Sequence, residues 1–201
     1  MEHLDEVVLE LKRELKKRQH VDVYTGMFVN GDLIDFDRKF ICKDNISVML
    51  PVGFVEMDPF IAKNKYPAEN RPELVFTSED TTINFTFKYT ELPISESQLI
   101  PAAHQLRMAI QRLNPSNIFY ESDAIQREDG SAVWFDYKSY ALDDAMYNFI
   151  YLVEIDKKLL QGGFNCSFGI YKDWKTVAMQ VVESIRDRTK EKDYEGKQDQ
   201  D

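Results

Sequence analysis

Between residues 131 and 186 the chain carries a pattern that a strand meander running into a helix satisfies. Three runs, 131–141, 146–155 and 159–168, have the period of two that sends successive side chains to opposite faces of a strand. Short turns around Asp143-Asp144 and Asp156-Lys157 separate them. The third run, Leu159 to Cys166, contains Gly162-Gly163 and leads to Trp174, Val177, Ala178, Val181 and Ile185 at helical spacing. Strands joined by such short turns pair antiparallel. The expected fold class is therefore α+β, a central antiparallel β-sheet flanked by helices. The middle run is apolar on both faces, with Tyr147, Phe149, Tyr151, Val153 and Ile155 on one and Met146, Ile150 and Leu152 on the other. A strand of that kind is central and covered on both sides.

The rest of the chain supplies the partners. Residues 2–19 predict an amphipathic helix with Leu4, Val7, Val8, Leu11 and Leu15 on one face. Asn30-Gly31 predicts a tight hairpin between 21–29 and 32–42, because both central positions of such a turn need positive φ. Ile46 to Leu50 reads as a short strand stopped by Pro51. A proline-rich irregular stretch follows over 51–72, with a single helical turn near Phe60. Glu73–Phe76 and Thr82–Thr90 predict a second hairpin, with Ile83, Phe85, Phe87 and Tyr89 inward and Asn84, Thr86, Lys88 and Thr90 outward. Ser95 and Gln98 have capping-box spacing before a helix at 98–113, whose apolar face is Leu99, Ala102, Ala103, Leu106, Ile110 and Leu113. A strand at 117–126 turns at Asp129-Gly130 into the meander. The resulting division is an N-terminal helix over 1–20, one α+β domain over 21–186, and a disordered charged tail over 187–201.

Charge narrows the function. With 25 basic and 35 acidic residues the net charge is −10, which repels a phosphate backbone, so nucleic acid is not an expected partner. The basic cluster Lys12, Arg13, Lys16, Lys17 and Arg18 ends a helix that begins with Glu2, Asp5 and Glu6, an order that complements the helix dipole. No run of about eighteen apolar residues occurs, so no membrane-spanning helix is expected. Glu2, Asp5, Glu6 and Glu10 interrupt the N-terminal apolar positions, and the expected location is the cytoplasm. Cys42 and Cys166 form no CxxC, and Cys166 falls in phase with core positions of its strand.

Catalytic and metal chemistry find little support. Asp35 and Asp37 share a strand face while Asp32 belongs to the turn, so the three do not converge as a cation site requires. His3, His20 and His104 lack further ligands at zinc spacing, and no metal or cofactor is expected. There is no GxSxG. Gly162-Gly163 lacks the flanking pattern of a phosphate loop and marks a bulge or a place where a side chain packs on bare backbone. Asp136 and Glu154 are expected at solvated strand ends, and no acid–base pair is assigned to them. The expected partner face is the second face of the sheet, given as Trp134 and Tyr140 on one strand with Met146 and Ile150 on the next. Two readings stay open for it, ordinary core beneath the N-terminal helix or a groove for a protein partner.

Ile46-Ser47-Val48-Met49-Leu50-Pro51, Ile83-Asn84-Phe85-Thr86-Phe87 and Gly163-Phe164-Asn165-Cys166 before the Trp174 helix resemble the Mog/PsbP-like superfamily over about residues 40–186, in particular its small bacterial members. The resemblance implies an α/β/α sandwich. It also implies binding rather than catalysis, since relatives include a photosystem II extrinsic subunit, a Ran-binding nuclear factor, DcrB-type lipoproteins and Eag chaperones, which hold apolar client helices on a sheet face. The leading expectation is a non-enzymatic protein-binding or chaperone-like module with a protein client. A small-molecule or enzyme site under the 51–72 loop is the second expectation, and a homo-oligomer joined through the N-terminal helix is the third.

Overall fold

The computed structural model describes Val7, residues 18–141 and residues 144–189. The helix expected over 2–19, its basic cluster and the tail beyond Thr189 fall outside the described residues, apart from Val7, Arg18 and Gln19, which are helical. The strands are β1 (Val21–Asp22), β2 (Gly26–Val29), β3 (Asp32–Ile34), β4 (Phe36–Ile41), β5 (Ile46–Pro51), β6 (Val55–Glu56), β7 (Leu74–Thr77), β8 (Asn84–Pro93), β9 (Ile118–Arg127), β10 (Gly130–Tyr140), β11 (Ala145–Ile155), β12 (Lys158–Ser167) and β13 (Arg186–Asp187). The helices are α1 (Pro59–Lys65), α2 (Leu99–Leu113) and α3 (Tyr171–Glu183).

A seven-stranded antiparallel sheet in the order β6-β7-β8-β12-β11-β10-β9 forms the centre. The meander β10-β11-β12 agrees with the periodicity to within a residue or two at each end. Its second turn, Asp156-Lys157, has φ of 49° and 60°, the paired left-handed geometry of a two-residue hairpin, and Asn30 and Gly31 adopt the same hand at 52° and 91°. One face of the sheet carries Tyr147, Phe149, Tyr151, Phe164 and Cys166 against Trp174, Val177, Ala178 and Val181 of α3. The three-stranded sheets β1-β2-β3 and β13-β5-β4 close that layer. The opposite face carries Val133, Phe135, Leu152 and Leu159 against Leu99 and Ala103 of α2. This is an α/β/α arrangement, and α2 covers the second face.

Several sequence expectations change. Asn84 and Thr86 are buried, and Tyr66 lies over the Asn84–Asn165 pair. Thr86 Oγ1 donates to the Gly163 carbonyl (3.2 Å), and Asn84 sits in a ladder: Thr77 Oγ1 donates to Asn84 Oδ1 (2.8 Å), Asn84 Nδ2 to Asn165 Oδ1 (3.0 Å), and Asn165 Nδ2 to Tyr66 Oη (3.0 Å). Leu113 was expected on the inward face of α2 but is 87% exposed, since the last turn of the helix runs past the apolar patch it covers. The chain beyond Ile185 continues as β13, paired with Ser47 and Ile46, so the boundary expected at residue 186 falls inside a strand.

Gly162 stands directly opposite Tyr151, and a Cβ built there would lie 2.1 Å from the Tyr151 ring. Replacing Gly162 by Ala is therefore expected to cost about 1–3 kcal/mol in urea unfolding, the usual penalty of overpacking. Gly169→Ala, whose new methyl would meet nothing closer than 3.8 Å, should be near neutral in the same measurement.

Candidate functional site

Two regions combine polar groups with accessible apolar surface, and they lie on opposite faces of the sheet. On the α3 face, β10 presents Trp134, Asp136, Lys138 and Tyr140 in one line, because alternate residues of a strand share a side. Asp136 is 1% exposed. This corrects its expected place at a solvated strand end. Phe135 and Tyr137 flank it, and a carboxylate in such a setting needs partners. It has three: the Glu121 backbone N–H donates at 2.7 Å, Tyr147 Oη at 2.8 Å and Lys175 Nζ at 2.8 Å. Lys175 also meets Glu121 Oε2 at 2.6 Å and sits 5.0 Å over the Trp134 ring.

Electrostatics follow from this packing. Burial opposes charge on Lys175, but hydrogen bonds to Asp136 and Glu121 outweigh it and raise the ammonium pKa. Burial, reinforced by the Asp136 charge, drives the Tyr147 phenol upward, so its hydroxyl stays protonated as a donor. Burial alone pushes the Cys166 thiol up to about 12, the behaviour of a core cysteine. The inner part of this face is full. Its rim holds a stacked aromatic row, with Phe168 4.6 Å from Tyr171, Tyr171 4.8 Å from Tyr147, and Lys138 4.4 Å above Phe168.

The second region is a cleft of about 270 Å³ between α2 and the β9–β10 edge of the sheet. Ile100, His104 and Arg107 recur at intervals of four and three, one stripe of the helix, and form one wall with Ala103. Ser122 and Ala124 of β9 form the other wall, and Val133 and Phe135 lie at the sheet. Arg107 stacks over Phe119 at 5.0 Å. Ile100 is 67% exposed, and Met108 and Leu113 add apolar surface on the same helix. Strand β9 is an edge of the large sheet, blunted by a register shift between Phe135 and Tyr137 and by Asp123, whose carboxylate accepts the Ala124 N–H at 2.8 Å.

The four residues expected on one partner face do not share it. In the β10–β11 register Trp134 stands opposite Tyr151 and Phe135 opposite Ile150, so the even-numbered residues of β10 and of β11 lie on opposite sides of the sheet. Trp134 is 3% exposed and belongs to the α3 core, stacked on Phe149 at 4.8 Å. Tyr140 lies on the same side at the rim, half exposed. Ile150 packs on the α2 side with Phe135 and Leu152, and Met146, four residues earlier in β11 and also on that side, pairs with Ser139. Sequence reading missed the α2–β9 cleft, although the stripe Ile100-His104-Arg107 was a usable signal. Under the 51–72 segment lies a more polar cavity of about 460 Å³ bordered by Glu56, Glu69, Arg71, Glu73 and Lys88. Among the described residues no cluster of His, Cys, Asp and Glu has metal-binding geometry, and no helix is long and apolar enough to cross a membrane.

The architecture is shared with solved structures. The solution structure of cyanobacterial PsbP (CyanoP) from Synechocystis is 11% identical, with 81% of this chain and 98% of that one covered at a TM-score of 0.58. A point mutant of Mog1 is 11% identical, with 76% and 95% covered at a TM-score of 0.50. The fold is thus Mog/PsbP-like. No protein-family model and no curated protein matches the chain.

Lys175→Met should destabilise the protein by about 2–4 kcal/mol, somewhat under the full cost of unpairing a buried charge because Lys175 keeps 20% exposure. Adding Asp136→Asn should recover part of that loss. Because the folded state raises the Lys175 pKa, the stability gap between wild type and Lys175→Met is full below about pH 10 and narrows as pH rises through the raised value. Urea melts across that range measure it.

Proposed function

We propose that this Mog/PsbP-like chain is a non-enzymatic protein-binding module that recognises its partner on the α2 side of the sheet. The observation that carries the reading is the open cleft between α2 and β9, bordered by exposed Ile100, with Met108 and Leu113 on the same helix. A buried side chain gains roughly 25 cal/mol for each Å² of apolar surface it removes from water. An accessible apolar recess beside polar groups is thus the kind of surface on which a partner's anchor residue gains most. On the α3 side Trp134, Asp136 and Tyr147 are packed shut at the centre, and the open recess of about 810 Å³ at its edge, beside Val52, Phe54 and Trp174, is bordered by the acidic Asp35, Glu79 and Asp80. The charges at the centre neutralise one another, which accounts for Asp136 and Lys175 as structural groups rather than an acid–base pair. The proposed partner face is thus the cleft rather than the mixed set Trp134, Tyr140, Met146 and Ile150, of which only Trp134 borders it.

Photo-crosslinking in the cells that make the protein tests this. With benzoylphenylalanine at Ile100 or Leu113, a discrete protein adduct is expected at both positions. The same probe at Val52, which borders the α3 side, should give none. Equal labelling at Val52, or no adduct at Ile100, would overturn the proposal.

A further inference from the structure

Helix α2 has a charge unlike that of the chain around it. The protein as a whole carries ten more acidic than basic residues. The fifteen residues of α2 include Arg107 and Arg112, with His104, and no Asp or Glu. Complementing the helix dipole accounts for Arg112 in the last turn. It does not account for the lack of acid along the exposed face, where a solvated helix in an acidic protein ordinarily carries some. The exposed side is instead apolar and basic, with Ile100, His104 and Arg107 along the cleft and Met108 and Arg112 outside it.

From this, and resting on the binding surface proposed above, we infer that the cleft takes an acidic amphipathic segment of a protein partner. An apolar side chain enters the recess between Ile100 and Phe135, and carboxylates on the flanks of the segment meet Arg107 and Arg112. The Arg107 guanidinium sits 5.0 Å over the Phe119 ring, a cation–π contact that holds it at the rim before binding and lowers the entropy lost when a carboxylate pairs with it. The net negative charge of the whole protein does not forbid this contact, because charges beyond about 8 Å are largely screened at physiological salt. Asp123 lines the strand wall and accepts the Ala124 N–H, so the positive charge of the cleft lies on its helix wall, and the carboxylates of the segment face that wall rather than β9. A flat anionic bilayer fits the same charges less well, since it leaves the concave recess unfilled.

Two labelled synthetic helical peptides with the same leucine stripe, one flanked by glutamate and the other by lysine, provide the test by fluorescence anisotropy. Wild type is expected to bind the glutamate peptide at least about tenfold tighter than the lysine peptide. Arg107→Glu with Arg112→Glu should abolish or reverse that preference, and Ile100→Ser should weaken binding. Arg112→Glu alone, a change at an exposed position, should narrow the preference even if the double variant fails to fold. Equal binding of both peptides, weakened by Ile100→Ser, would overturn the acidic partner and leave the binding surface standing. Binding of neither peptide, or binding indifferent to Ile100→Ser, would overturn both. Co-sedimentation with phosphatidylserine vesicles in the absence of peptide binding would assign the surface to a membrane and overturn the inference.

Discussion

The side chain of Tyr151 leaves β11, lies across the bare backbone of Gly162 on β12 and donates from its hydroxyl to the Thr86 carbonyl on β8, 3.3 Å away. One fully buried residue thereby spans the three central strands of the large sheet. Because a slip of one residue exchanges the two faces of a strand, pinning this register also fixes which side chains meet α3 and which meet α2. Phe85 and Phe164 reach the α3 layer, and Ile150 and Leu152 reach α2, from the same constraint.

The buried carboxylate of Asp136 adds a second condition. It is accommodated only where Lys175 of α3, Tyr147 of β11 and the Glu121 N–H converge, so it ties the first half of α3 to a single position on the sheet. Such a network contributes specificity of placement more than net stability, because removing two charges from water offsets much of their attraction. Its consequence for function is negative space. The centre of the α3 face is occupied by its own polar and aromatic groups; open recesses remain at its Val52–Trp174 edge and, on the other side, between α2 and an edge strand that a bulge and acidic side chains guard against pairing.

Elements set by local chemistry were legible in the residues. The period of two in 146–155, the left-handed turns at Asn30-Gly31 and Asp156-Lys157, and the apolar stripe of α3 all depend on neighbours a few positions away. Gly162 was legible too, as a place where a side chain packs on backbone, though not which side chain. The partner face was less so. Grouping Trp134 with Ile150 requires the pairing register between β10 and β11, which alternation within each strand leaves free.

By itself, then, the order of residues determined the antiparallel meander, the helices and the absence of familiar metal or nucleophile motifs, since turn geometry and side-chain alternation act over short distances. Only the tertiary structure decided that Asp136 is buried, because its counter-charge lies thirty-nine residues away on α3. It likewise decided that Asn84 and Thr86 are covered, and that α2 packs on the second face. The cleft is of the same kind: the stripe Ile100-His104-Arg107 marks one wall locally, but the space exists only because that helix and an edge strand are set side by side.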